Sequence, residues 1–297
     1  MGLMGHTSTV ALLGTGIMGT GMARSLRRAG LDVRAWNRNP DRARPLAEDG
    51  VVVCESAAEA CAGADVVVTM LFDAESVEQV MTELLEQEPD LGSRAVWLQT
   101  ATVGPEGMAR LAELAGRHGI PVLDAPVLGT KAPAESGSLV VVVSGDPDLR
   151  DRVEPVLDAI SSRTLWAGEE VGVASRLKLV VNAWVASLNA AVAQSVTMAR
   201  ALDVDPRLFL DAIGGGPTDT PYAQLKGGMM IGGEYPPSFP VDSVRKDLDL
   251  MALATQGRGY DATLLEALRA VYAQASEQGH GGDDMAAVVE AFRPGSA

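Results

Sequence analysis

Gly14-Thr15-Gly16-Ile17-Met18-Gly19 sets three glycines at a spacing that serves one kind of chemistry, the holding of a dinucleotide pyrophosphate. The hexapeptide closes an apolar run, residues 9–14, and opens a segment in which Met18, Met22, Leu26 and Ala29 recur at helical spacing. Strand, tight turn and helix follow from that order. Each glycine meets a separate demand: Gly14 permits the turn, Gly16 leaves room for an anion against backbone, and Gly19 lets helix and strand pack closely. Backbone N–H groups at the start of the helix, around Ile17 and Met18, then point at the anion.

At the end of the next strand, where a carboxylate would bind the ribose 2′-hydroxyl of NAD, the chain reads Trp36-Asn37-Arg38-Asn39, with Arg42 a helical turn onward. An acid there would repel a 2′-phosphate, whereas Arg38 can donate charge-assisted hydrogen bonds to it and stack on adenine. The expected cofactor is therefore NADP(H), touched at this end by Asn37 and Arg38.

Hydride transfer to a carbonyl needs a proton donor beside the developing alkoxide. His6, His118 and His280 fall in a leading tail, a helix–strand joint and a glycine-rich loop, and none lies on an expected buried face. Lys178 sits instead in a long apolar helical segment, with Asn182 four residues on along the same face. Desolvation lowers the pKa of a lysine, which suits it to exchange protons near neutral pH, while an amide one turn away can orient it or a substrate oxygen. Periodicity alone leaves open a lysine that snorkels to the helix edge.

The elements that must position these groups alternate. Strands are expected at Asp32–Trp36, Val51–Cys54, Val66–Leu71, Ala95–Leu98, Val122–Leu123, Leu139–Ser144 and Thr164–Trp166, with helices between them, including Pro40 to about Asp49 and Pro147–Ser161. Parallel strands require crossovers long enough to hold a helix, so the series predicts an α/β fold with a Rossmann-type doubly wound sheet. After Gly172 the strand signals stop. Residues 173–201 lack Gly and Pro and are apolar on most faces, which predicts a long interdomain helix buried among partners. Further helices follow, separated by joints at Gly214–Pro217, Gly227–Gly233 and Pro236–Pro240. The division expected is an NADP-binding domain over 1–167 and an all-helical substrate and dimerisation domain over 168–297.

Two domains suit a chain of 297 residues. The formal charge of −15, from 24 basic and 39 acidic side chains, repels phosphodiester backbones and anionic lipid, so neither nucleic acid nor membrane is an expected partner. No leader pattern opens the chain and no uninterrupted apolar run reaches the ~20 residues of a membrane helix, so a cytoplasmic protein is expected. Cys54 and Cys61 lack metal or redox spacing and read as buried free thiols, and no His/Asp/Glu cluster has the spacing of a metal site.

Taken together, the chain resembles the β-hydroxyacid dehydrogenase family, the 3-hydroxyisobutyrate dehydrogenase-like enzymes, and more closely its glyoxylate and succinic semialdehyde reductase branch. The likeness runs nearly end to end, through LLGTGIMGTGMARSL, AWNRNPDRA, MLFDAESV, TATVGPEG, DAPVLGTKAPAESGSL, GVASRLKLVVNAWVASLNAAVAQSVTMA, YPPSFPVDSVRKDLDLMALA and GDDMAAVVEAF. It implies that Lys178 is the general acid/base and Asn182 its companion on the substrate side. It also implies that Met70, Leu71, Thr102 and Lys246 lie at the cofactor and that Phe239 and Asp247 lie at the substrate pocket. Two positions depart from the family: Leu128 replaces a serine of the DAPVSGG pattern, and Ala101 replaces a serine before Thr102. Backbone N–H groups at Gly129 and Thr130, or the side chains of Thr130 and Lys131, are then the groups left to receive an acid function.

The activity expected is NADPH-dependent reduction of a small aldehyde or 2-oxo acid, or oxidation of the hydroxy acid, with substrate held in the cleft between domains. The alternatives are an imine reductase of related fold, which usually replaces this lysine with Asp or Tyr, and a catalytically silent NADP-binding protein. The apolar surface of 173–201 exceeds what a small helical domain buries alone, so a homodimer is expected.

Overall fold

A computed structural model describes residues 8–88 and 90–292, and the chain forms two compact units, Met1–Lys178 and Leu179–Ala297. The division falls inside the long helix, where the sequence suggested 167/168. His6 lies outside the described residues.

The first unit carries strands β1 (Thr9–Leu13), β2 (Asp32–Trp36), β3 (Val52–Val53), β4 (Val66–Thr69), β5 (Val96–Gln99), β6 (Val122–Asp124), β7 (Val127–Leu128), β8 (Leu139–Ser144) and β9 (Ser161–Gly168). They form one sheet in the order β3-β2-β1-β4-β5-β6-β8-β7, with β9 paired to β8. Its helices are α1 (Ile17–Arg28), α2 (Pro40–Ala43), α3 (Ala57–Cys61), α4 (Ala74–Gln87), α5 (Gly104–His118), α6 (Lys131–Ser136) and α7 (Arg150–Ile160), followed by the start of α8 (Val173–Ala201). Strand residues alternate between faces with period two. Val10, Leu12, Val66, Val68, Val96 and Leu98 pack with Met22 and Leu26 of α1 and Val153 and Val156 of α7. Ala11, Leu13, Val67 and Trp97 pack on the other side with Met81 and Leu84 of α4 and Met108 and Leu111 of α5. Both faces are covered, which explains why the central strands β1, β4 and β5 are buried almost along their whole length.

The sheet is parallel from β3 through β6, but β8 runs antiparallel to both β6 and β7. The connection 129–138 is shorter than the dozen or more residues of a parallel crossover, so the chain turns back. Neither β7 nor α6 was expected, because each is too short to show a periodicity. The helix expected over Pro40–Asp49 is two pieces, α2 and a 3-10 turn at Arg44–Asp49, since Pro45 has no N–H to continue the ladder. Cys54 and Cys61 are buried free thiols, as expected.

The second unit is helical among the described residues: the rest of α8, then α9 (Pro206–Ile213), α10 (Pro221–Gly232), α11 (Val241–Thr255), α12 (Thr263–Ala275) and a final 3-10 segment, Met285–Phe292. Gly227 and Gly228 lie inside α10 rather than in a joint. A Cβ on Gly227 would sit 2.7 Å from Leu210 Cδ2, so glycine there lets α9 approach. The helix at 173–201 has the bounds expected for it. It is the one helix among the described residues long and apolar enough to cross a membrane by length and composition, and that apolarity serves packing: Ala186, Ala193 and Val196 enter the helical core with Leu248 and Tyr272.

Candidate active site

The glycine turn is built by sterics. Gly14 has φ +107°, and a Cβ there would lie 2.3 Å from the Met70 carbonyl oxygen and 2.9 Å from Leu71 Cδ2. Met70 and Leu71, at the end of β4, thus form the wall of the turn. A Cβ on Gly19 would fall 1.9 Å from the Gly14 oxygen, so helix and turn can touch only through glycine. Beside Gly16 the situation reverses: no heavy atom outside its chain neighbours lies within 4 Å of where a Cβ would project. That open cradle faces the start of α1, which has no side-chain cap and no acid in its first turn, so its N–H groups and dipole remain available to an anion. The Thr15 hydroxyl is buried with no hydrogen-bond partner. Together these features fit a bound dinucleotide.

Asn37 locks the turn to β2: its Oδ1 accepts from Thr15 N at 3.0 Å and its Nδ2 donates to the Asn39 oxygen. Arg38 and Arg42 are exposed, and among the described residues neither enters an ion pair. The acid of that segment, Asp41, is bound to Arg44 at 2.8 Å.

Sequence reasoning missed the network that shapes the ends of β4 and β5. Buried Trp97 donates to Thr69 Oγ1, Thr69 donates to Gln99 Oε1, and Gln99 Oε1 also accepts from Ala101 N. Polar residues inside apolar strands were the available signal. Ala101 is completely buried, so its methyl belongs to the core rather than to a pocket wall, while Thr102 is half-buried in the loop after β5.

Lys178 is held by the first turn of α8. The first N–H groups of that helix receive side chains from the sheet: Ala174 N donates to Ser144 Oγ at 3.0 Å, and Ser175 N and Oγ donate to the two Asp124 oxygens at 2.7 and 2.8 Å. Burial pushes the Asp124 carboxyl up to about 6, although hydrogen bonds from Ser175, Gly172 and Ser144 pull the other way. One turn on, Lys178 is 8% exposed and its ammonium donates to the Val127 carbonyl at 2.8 Å. Leu128 therefore follows directly on the residue that anchors the lysine. Gly129 has φ +128°, and half-buried Thr130 stands in extended backbone before α6. Lys131 is exposed.

In the second unit, buried Asn182 donates through Nδ2 to Asp247 Oδ2 at 2.5 Å, and Lys246 pairs with Asp247 Oδ1 at 2.9 Å. That bond fixes the donor side of the amide on the carboxylate. Phe239 is half-buried ahead of α11. Of the histidines, His280 is paired with Asp283 and His118 ends α5, half-buried.

A glycine cradle at the start of a helix that follows a parallel strand defines a dinucleotide-binding unit. Residues 9–168 match the NAD binding domain of 6-phosphogluconate dehydrogenase, and 172–292 match the NAD-binding domain of NADP-dependent 3-hydroxyisobutyrate dehydrogenase. The chain is 31% identical to glyoxylate/succinic semialdehyde reductase 2 of Arabidopsis thaliana, over 97% of this chain and 80% of that protein. It is 30% identical to an L-threonate dehydrogenase of Cupriavidus necator, over 95% of each chain. A 3-hydroxyisobutyrate dehydrogenase structure from Salmonella typhimurium superposes with a TM-score of 0.84 at 26% identity, covering 95% of this chain and 98% of that one. The protein belongs to the β-hydroxyacid dehydrogenase family, the 3-hydroxyisobutyrate dehydrogenase-like enzymes.

Proposed function

We infer that the protein interconverts a small aldehyde or 2-oxo acid and its alcohol with NADP(H), and that Lys178 is the general acid/base. The observation that carries this reading is the position of the Lys178 ammonium, nearly withdrawn from water and tied to the Val127 carbonyl. Bound NADPH would supply the hydride to the carbonyl carbon. Lys178 gives a proton to the carbonyl oxygen as that charge develops and recovers one from solvent; in the oxidative direction it takes the hydroxyl proton. The Val127 carbonyl accepts one N–H of the ammonium and so fixes where the amine sits.

Gly14, Gly16 and Gly19, with the N–H groups at Ile17 and Met18, hold the pyrophosphate, and Met70, Leu71 and Thr102 border the cofactor. Arg38 binds the 2′-phosphate, supported by its exposure and by the pairing of the nearby acid with Arg44. Leu128, Gly129 and Thr130 contact substrate. Leucine in place of a hydroxyl favours a substrate whose group at that point is less polar than a carboxylate, or one received by backbone N–H groups alone. Asn182 serves as the acceptor its bond to Asp247 makes it. We also propose a homodimer that covers the exposed apolar side chains of α8.

Lys178→Ala should lose at least about 100-fold in turnover, the lower part of the range for a general acid, and should keep its affinity for NADPH. Turnover near wild type removes Lys178 from the mechanism. Following NADPH consumption against short aldehydes, 2-oxo acids and cyclic imines fixes the substrate class: preference for imines, or no consumption at all, overturns the carbonyl reading.

A further inference from the structure

Lys226 and Asp284 form an ion pair at 2.5 Å, with side chains 1% and 0% exposed, the most deeply buried pair of charges among the described residues. Burying two charges costs more in desolvation than their attraction returns unless further hydrogen bonds complete them. Here they are completed in one direction. Asp284 accepts from Ser238 N at 3.1 Å, Ser238 Oγ at 2.7 Å and Phe239 N at 3.3 Å, and from Ala286 N at 3.0 Å on its own side. Burial alone would raise the Asp284 carboxyl, but Lys226, Ser238 and Ala286 hold it below the ordinary carboxylate value. The backbone adds a second layer. Asp284 N donates to the Tyr235 oxygen, Met285 N to the Phe239 oxygen, Val241 N to the Asp283 oxygen and Asp242 N to the Gly281 oxygen, so that 281–285 lies along 235–242 as a clamp.

We propose that the Lys226–Asp284 pair is a positioning device for the segment 235–241, fixing Phe239 and the entry to α11, which carries Lys246 and Asp247. Three observations converge on it. The carboxylate spends three of its bonds on Ser238 and Phe239. Lys226 is the one charged residue of α10, a helix otherwise free to bury an apolar side chain at that place. The segment it fixes contains Pro236, Pro237 and Pro240, which donate no backbone hydrogen bond, so Ser238 and Phe239 supply the donors between them, and the carboxylate takes both. The assignment of Phe239 to substrate rests on the function proposed above; the clamp itself does not.

The test uses the whole protein with Lys226→Met and Asp284→Asn, singly and combined, and with Ser238→Ala. The combined variant keeps volume and neutrality, so it should stay folded, with Tm within a few degrees and NADPH affinity unchanged. Its KM for the carbonyl substrate should rise about 10-fold, and hydrogen exchange in the peptide spanning 235–241 should accelerate at least about 10-fold. Lys226→Arg with Asp284 intact, which keeps the ion pair, should hold most of the wild-type KM. Ser238→Ala, which removes the hydroxyl's bonds with Asp284 and Lys226 and no charge, should raise KM about three-fold and speed the same peptide.

Unchanged exchange at 235–241 in either folded variant overturns the clamp, whatever the enzyme turns over. Should the combined variant fail to fold, Ser238→Ala decides by the same measurement. Faster exchange with an unchanged KM would retain the clamp and overturn its role at the substrate. If wild-type protein consumes no NADPH with any carbonyl, the function fails while exchange still decides the clamp.

Discussion

The role proposed for Arg38 makes the choice between two cofactors turn on one side chain. Its guanidinium is exposed beside a turn whose acid is already bound to Arg44, and in the site proposed above it meets the 2′-phosphate. Arg38→Asp replaces attraction to a dianionic phosphate by repulsion. At contact distance and surface dielectric each is worth about 1–4 kcal/mol, so NADPH affinity should fall about 30-fold or more while NADH affinity changes by less than about three-fold. Titration of both dinucleotides into wild-type and variant protein measures this, and equal losses would remove Arg38 from phosphate binding. Much of this end of the site was legible in the chain, because glycine spacing and the missing acid are local facts. The neighbours were less legible: that Met70 and Leu71 wall the Gly14 turn depends on two strands brought side by side, and Ala101, which suggested an altered pocket, proved to be core.

At the scale of elements, the first turn of α8 rests on side chains 30 and 51 residues away in sequence, Ser144 and Asp124. The Asp124 carboxyl is raised by burial to about 6 from 3.8, so the folded chain binds its proton more tightly than the unfolded chain does. Stability from this group is therefore complete below the unfolded value and is lost as pH rises to about 6. A shift of that size corresponds to roughly 3 kcal/mol. In denaturant unfolding, the stability of wild type minus that of Asp124→Asn should drop by about this amount between pH 4 and pH 7; a difference that stays level or grows refutes the assignment. The parallel strands and α8 itself were readable because apolar runs and periodicity are properties of contiguous residues. The caps on α8, the β7–α6 excursion and the Lys226–Asp284 clamp were not, because partners far apart in sequence leave no local pattern. A lone charge in α10 was the one available hint of the clamp.

At the scale of the whole molecule, Val180, Trp184 and Met198, spread along α8, and Leu202, just beyond it, stand 52–67% exposed. The homodimer proposed above covers that apolar stripe with the same stripe of a second copy. In sedimentation equilibrium at micromolar concentration the wild type should be a dimer and Trp184→Glu a monomer, and a monomeric wild type would overturn the homodimer. The cysteines bear on a different property. Both lie in the first unit; burial and the nearby Glu59 raise the Cys54 thiol, and burial lifts Cys61 to about 12. Since thiolates are the reactive form, a sulfhydryl label can attach only when the dinucleotide-binding half opens, and the helical half has no cysteine to answer. The chain thus carries its own reporter for the breathing of one half alone.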